Sequence, residues 1–103
     1  MVVVSVTYPV SEGSRFDLDY YVNTHTPMLR QRWGAMGLEN VRLLRGTGGV
    51  GGGPLAFHMI ALLSFRSQAD LDAALQAHGR EIMSDIKNFT DVRPAVQLNE
   101  ELG

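Results

Sequence analysis

The run from Leu55 to Phe65 sets the problem this chain has to solve. Alternation puts Phe57, Met59, Ala61, Leu63 and Phe65 on one face and His58, Ile60, Leu62 and Ser64 on the other, so a strand here is apolar on both sides. Such a strand belongs inside a sheet, with cover for each face. Three further strands are readable. Val2 to Tyr8 is rich in β-branched residues and closes at Tyr8-Pro9. Leu38 to Arg45 places Val41, Leu43 and Arg45 on one side, and Asp91 to Asn99 places Val92, Val96 and Leu98 together, with Pro94 marking an edge or a bulge.

Two helical stretches alternate with these strands. Asp17 can cap a helix by accepting from a free N–H of the first turn, and Pro27, lacking an N–H, suits the first turn of another. The sequence therefore predicts one helix from near Asp17 and a second from near Pro27, capped by Thr24 or Thr26 and ended by Gly34 or Gly37. Ser67 caps the next helix, with Asp70 three residues on; Leu71, Ala74, Leu75 and His78 form its sheet-facing stripe, Gly79 ends it, and Glu81 to Ile86 add a short helical turn. The glycine stretch Gly46-Thr47-Gly48-Gly49-Val50-Gly51 fits the dinucleotide pattern G-x-G-x-x-G, but a strand follows instead of the helix that would hold a pyrophosphate, so it reads as a hairpin loop.

Strand, helix, strand, strand, helix, strand is the split β-α-β order of an α+β, ferredoxin-like domain with a four-stranded antiparallel sheet. A chain of 103 residues makes one such domain, residues 1–103. Two helices cover one sheet face. The other would leave either Ile60 and Leu62 or Met59 and Leu63 in water, a patch larger than monomers usually expose. At ~25 cal/mol per Å2, covering several hundred Å2 is favourable by roughly ten kcal/mol before association costs. A homodimer packed sheet to sheet is the expectation.

Composition narrows the partners. The 9 Lys and Arg against 11 Asp and Glu form no basic run, which argues against nucleic acid. With no cysteine, disulfides, thiolate zinc ligation and a cysteine nucleophile are all excluded. The apolar start Met1-Val2-Val3-Val4 has no basic flank and is too short for a signal or a membrane span, so a cytoplasmic protein that does not engage membrane is expected.

Chemistry-bearing residues crowd between Phe16 and Met28. At the junction of the two expected helices His25 would sit at or beside a helix N-terminus, whose partial positive charge disfavours imidazolium and keeps the ring basic. Tyr21, four residues earlier, shares its face. His78, on its stripe, would meet Tyr21, His25 or Ser5 between helices and sheet; alternatively it only contacts the last carbonyls of its helix. His58 lines either a pocket or the dimer interface. The three histidines lack any metal-binding spacing, so no metal and no organic cofactor is expected. The acids Asp17 with Asp19 and Glu81 with Asp85 read as solvated helix charges. Trp33, Phe16, Tyr20 and Phe89 can line a hydrophobic ligand site or fill the core.

Three ordered motifs, Phe16-Asp17-Leu18-Asp19-Tyr20-Tyr21 with Thr24-His25-Thr26-Pro27, His78-Gly79-Arg80-Glu81-Ile82-Met83, and Asn88-Phe89-Thr90-Asp91-Val92-Arg93-Pro94, resemble the EthD family, named for ethyl tert-butyl ether degradation. The likeness spans nearly the whole chain and implies a ferredoxin-like dimeric α+β barrel, a superfamily that also includes cofactor-free monooxygenases, polyketide cyclases, a muconolactone isomerase and haem-dependent enzymes. It places the family's tyrosine and histidine on Tyr21 and His25, and its histidine before glycine on His78.

Two functions follow. In the first, His25 or His78 removes or relays a proton from an apolar, oxygen-bearing metabolite while Tyr21 stabilises the enolate, and Phe16, Trp33, Phe89 and His58 hold the substrate. In the second, the chain is a non-catalytic ligand-binding or accessory protein of an oxidative pathway.

Overall fold

The computed structural model describes residues Met1–Gly103. Four strands, β1 (Val2–Pro9), β2 (Leu38–Arg45), β3 (Phe57–Phe65) and β4 (Ala95–Asn99), form one antiparallel sheet in the order β2-β3-β1-β4. With the intervening helices this is the ferredoxin-like arrangement. Val4 pairs with Leu63 on one side and Leu98 on the other, and Val41 also pairs with Leu63, which puts these apolar side chains on one face in every strand.

That face lies under the helices. Met59 and Leu63 are only 1% and 4% exposed, so Ile60 and Leu62, both half-buried, belong to the open face. The main core joins Val4, Val41, Leu63 and Phe65 of the sheet to Leu29, Trp33, Leu71, Ala74 and Ile82 of the helices. Trp33 Nε1 donates to the Ala74 carbonyl at 2.8 Å, which satisfies the buried indole and ties the two helices together.

The first helical rod differs from the sequence expectation. It is one continuous path: α1 (Leu18–Tyr20), a π-turn (Tyr21–His25) and α2 (Thr26–Trp33). Asp17 caps it as expected, accepting from the Tyr20 N–H at 3.1 Å. Neither Thr24 nor Thr26 caps a second helix, because the Thr26 N–H is already bonded to the Tyr21 carbonyl five residues back. Pro27 in an ordinary α-turn would leave the Asn23 carbonyl without its partner and crowd it with the ring; the wider turn just before it lets the chain pass without a break. Gly37 ends the rod at φ 95°, and a Cβ there would come within 2.6 Å of the Asp70 carboxylate, so that position requires glycine twice over.

The second helix also runs further than expected. α3 (Gln68–Ser84) starts where the Ser67 hydroxyl accepts from the Asp70 N–H, and passes straight through Gly79, which is buried mid-helix against Leu75. A 3-10 turn, Ile86–Asn88, follows directly. β4 starts at Ala95 and not at Asp91, since Pro94 has no N–H to give the sheet and Thr90 instead bridges to Phe16. β3 likewise starts at Phe57, two residues later than its apolar pattern suggests. No helix is long and apolar enough to cross a membrane.

Candidate functional site

The π-turn and the end of α3 bring together four side chains from two stretches about 60 residues apart in sequence. His25 Nδ1 lies 2.9 Å from Asp85 Oδ2, the Tyr20 hydroxyl donates to Asp85 Oδ1 at 2.6 Å, and Asn88 Nδ2 donates to the same oxygen at 2.9 Å. Local structure explains each position. Asp85 closes α3, and the 3-10 turn carries Asn88 back beneath it. Tyr20 precedes the π-turn and His25 ends it, and the extra residue of that turn sets the histidine's direction.

An aromatic shell encloses the imidazole. Tyr21 stacks on it with ring centroids 5.4 Å apart and an 18° interplanar angle, and Phe89 packs against it at 4.7 Å. Phe89 is wholly buried, and Tyr8, Phe16 and Tyr20 also surround it. His25 itself is 3% exposed.

Electrostatics follow from this packing. Burial acts most strongly on Asp85 and would raise its carboxyl, but hydrogen bonds from Tyr20, Asn88 and His25 together outweigh it and hold the group below its ordinary 3.8. Asp85 is therefore a carboxylate at neutral pH and can only accept, so the imidazole proton sits on Nδ1. Burial also lowers His25 below its ordinary 6.5, against the opposing pull of the Asp85 hydrogen bond and charge. His25 is thus neutral, with its lone pair on Nε2. Burial alone acts in this direction, since His25 lies inside a continuous helical path and not at a helix N-terminus. Nε2 has no protein partner, and since every sealed side-chain nitrogen and oxygen is satisfied, Nε2 is not completely sealed off.

Tyr21 meets His25 as expected, but through its ring face. Burial pushes its phenol up to about 12, and that of Tyr8 higher still, so both remain protonated. His78 does not join this group. It lies 3.5 Å from Glu81, which is also paired with Arg32, and its side chain is a third exposed. Ser5, on the open sheet face, accepts instead from Asn99 Nδ2. Among the expected ligand-lining residues, Phe16 and Phe89 belong to the aromatic shell and Trp33 to the main core, while His58 lies apart, stacked on Phe16 and 2.9 Å from the Ser14 hydroxyl. No three metal-ligating side chains converge anywhere in the chain.

The residues the sequence reading underrated are Asp85, Tyr20 and Asn88. Spacing of one helical turn pairs Asp85 with Glu81 as a solvated charge, yet the Asp85 side chain is only 13% exposed. Its signal was Asn88, three residues later and at the head of a motif already singled out.

Next to this group lies a cavity of 70 Å3 between the sheet and α3, with 13 lining residues, all hydrophobic. Leu29 lines it one helical turn after His25, and Ile82 and Ile86 line it on either side of Asp85. His25 and Asp85 themselves are not in the lining. The mouth lies at Leu75, Met83 and Val96, each about half exposed. Water occupies about 30 Å3 and a cavity of about 150 Å3 accepts benzene, so the enclosed part suits a small alkyl group.

These pKa shifts make stability depend on pH in a stated direction. Below 6.5 the unfolded chain takes up a proton on His25 that the native state, with its lower pKa, still refuses; below 3.8 the same holds for Asp85. Both contributions are fully present above 6.5 and are lost as pH falls through each folded-state pKa. The melting temperature should decline as pH drops below 6.5, and His25→Gln should flatten the upper part of that decline. An unchanged slope in the variant would show that His25 is not the titrating group.

No protein-family model matches the chain, and no curated protein does either. Solved structures do. An EthD-like protein from Ralstonia eutropha JMP134 is 37% identical, with 96% of this chain and 89% of that one aligned at a TM-score of 0.88. An ethyl tert-butyl ether degradation (EthD) family protein from Bacillus halodurans C-125 is 22% identical over 99% of both chains at a TM-score of 0.69. A dimeric ferredoxin-like protein from an uncultured marine organism shares the fold at a TM-score of 0.64 with 12% identity. Identity of 37% over nearly the full length of both chains, on a matching ferredoxin-like fold, establishes that this chain belongs to the EthD-like family.

Proposed function

We propose that this protein is a small-molecule enzyme that carries out cofactor-independent acid/base chemistry on an apolar, oxygen-bearing metabolite, with His25 as the base. One observation carries the reading: His25 Nδ1 is committed to Asp85, which leaves an unpartnered Nε2 lone pair on a desolvated, neutral ring. Asp85 fixes the tautomer and would stabilise the imidazolium formed on proton uptake, while Tyr20 and Asn88 hold Asp85 in place. Tyr21 presses against the imidazole and keeps its phenolic proton. An alkyl part of the substrate would occupy the adjacent cavity, with its acidic C–H or O–H presented to Nε2. Isomerisation, cyclisation, dehydration and cofactor-free oxygenation can each begin with such a proton removal.

Deuterium exchange at the carbon next to the carbonyl of small alkyl ketones, followed by NMR in D2O, tests the reading without knowledge of the natural substrate. The wild-type protein should accelerate exchange and His25→Ala should not. A wild-type protein with no effect on any ketone in a series of increasing chain length would sink it.

The second reading is a non-catalytic binding or accessory protein of an oxidative pathway such as ether degradation. What favours it is the cavity lining, which is entirely hydrophobic and includes neither His25 nor Asp85. Ligand binding that survives His25→Ala but is lost when the cavity is narrowed at its mouth by Leu75→Trp would support this role.

Either role fits a cytoplasmic homodimer joined through the open sheet face. The support is that face itself, where Ile60 and Leu62 lie beside Leu44, 43% exposed, together with the dimeric ferredoxin-like relative in fold. Ile60→Asp should convert the dimer to a monomer in sedimentation at micromolar concentration, because it would bury an unpaired charge. A wild-type monomer, or an undisturbed dimer in the variant, would move the interface elsewhere.

A further inference from the structure

A second recess, of 150 Å3, lies where the loop into α1 crosses the ends of β2 and β3, lined by Phe16, Leu18, Arg45, Gly46, Leu55 and His58. We propose that it is a binding site for a hydroxylated aromatic carboxylate, whose carboxylate meets Arg45 and whose hydroxyl donates to His58 Nδ1.

Hydrogen-bond accounting around Ser14 fixes the histidine. Ser14 Oγ lies 2.7 Å from the Ser11 carbonyl oxygen, and two oxygens approach that closely only with a proton between them. The single hydroxyl hydrogen is therefore spent on Ser11. Ser14 Oγ also accepts from the Ser11 N–H at 3.0 Å, so its remaining contact, at 2.9 Å to His58 Nε2, must be a donation from the histidine. In the neutral ring the proton is on Nε2, and Nδ1 carries a lone pair with no protein partner. As no sealed side-chain nitrogen is unsatisfied, that lone pair is open to solvent.

The rest of the recess supplies complementary chemistry. Phe16 stacks on the imidazole at 5.6 Å and 20°, which holds the ring in place, and with Leu18 and Leu55 it gives an apolar wall. Arg45 takes part in none of the chain's four ion pairs. Its planar guanidinium matches a carboxylate with two parallel hydrogen bonds. The recess is shaped by close contact at Gly46, where a Cβ would collide with the Phe57 carbonyl oxygen and Leu55. Its volume is that of a benzene-sized cavity, about 150 Å3, so it accommodates one six-membered ring. Two rings separate it from His25: Tyr21, 5.1 Å from Phe16 and 5.4 Å from His25, and Phe89, 5.3 Å from Phe16 and 4.7 Å from His25.

Binding of 3-hydroxybenzoate and of benzoate to the intact protein, measured by calorimetry and by imidazole 15N shifts, tests the proposal. The expected result is tighter binding of 3-hydroxybenzoate, with shifts at His58 and none at His25. Arg45→Gln should weaken both ligands about tenfold, equivalent to about 1.4 kcal/mol. His58→Phe keeps the stack on Phe16 but removes the acceptor, and should bring 3-hydroxybenzoate down to the affinity of benzoate. Equal affinity for the two ligands in the wild type, an Arg45→Gln variant that binds as well as wild type, shifts at His25 instead of His58, or no binding at about 20 mM ligand would each overturn it. A failure here leaves the ketone exchange at His25 untouched, so the two proposals stand or fall separately.

Discussion

Replacing Asp85 with Asn should cut base-catalysed exchange by about 10^2-fold or more while leaving the chain folded, because general-base catalysis of this kind contributes about 10^2–10^4. The side chain keeps its size but loses its charge. Its amide can accept the Nδ1–H only through its oxygen, and where the NH2 faces the imidazole the proton is driven to Nε2, which removes the lone pair the reaction needs. Tyr20 and Asn88 would each face an altered partner as well. Rate constants for wild type and variant, with the fold checked by far-UV circular dichroism, give the answer. A variant as fast as wild type would mean that Asp85 serves packing alone.

Phe89→Ala should be the most damaging change to stability. The ring is fully buried and its centroid lies 4.7 Å from His25, 5.0 Å from Tyr21, 5.3 Å from Phe16 and 5.6 Å from Tyr8. Removing a buried Phe side chain typically costs about 3–5 kcal/mol, a large share of the total stability of about 5–15 kcal/mol for a domain. Each kcal/mol lowers the melting temperature of a domain this size by about 4–8 °C. The loss also reaches the site, since the cavity would open directly beside the imidazole. Chemical denaturation would show a loss below about 1 kcal/mol if the neighbouring rings collapse to fill the space.

The sheet was legible because strand periodicity is 2 and both faces of Leu55 to Phe65 are apolar. Alternation sorted Met59 and Leu63 from Ile60 and Leu62, though only the helices decide which pair is covered. The caps at Asp17 and Ser67 were legible too, each resting on a bond to an N–H three residues on. The rod around Pro27 was not, because a proline signals a helix start or a helix break equally well and the π-turn that reconciles it has no periodic signature. Gly79 misled for a similar reason: glycine past a stripe marks an end, unless packing holds the helix on course.

At the site, His25 and Tyr21 could be paired from their spacing, since they are neighbours on one rod. Asp85 could not be added to them. It lies 60 residues from His25, and it arrives because the segment after α3 is clamped to the loop before α1, where the Asp17 N–H donates to the Phe89 carbonyl at 2.7 Å and the Thr90 hydroxyl donates to the Arg15 carbonyl at 2.7 Å. Those bonds depend on topology and leave little trace in local pattern. His78 failed for the opposite reason. Its stripe was expected to face the sheet, but the side chain is a third exposed and reaches Glu81 at the helix surface.

An NMR titration of the His25 imidazole nitrogens tests the central claim most directly. The expected ring is neutral at pH 7, protonated on Nδ1 and bare on Nε2, and titrates below its ordinary 6.5. A ring charged at pH 7, or one carrying its proton on Nε2, would contradict it.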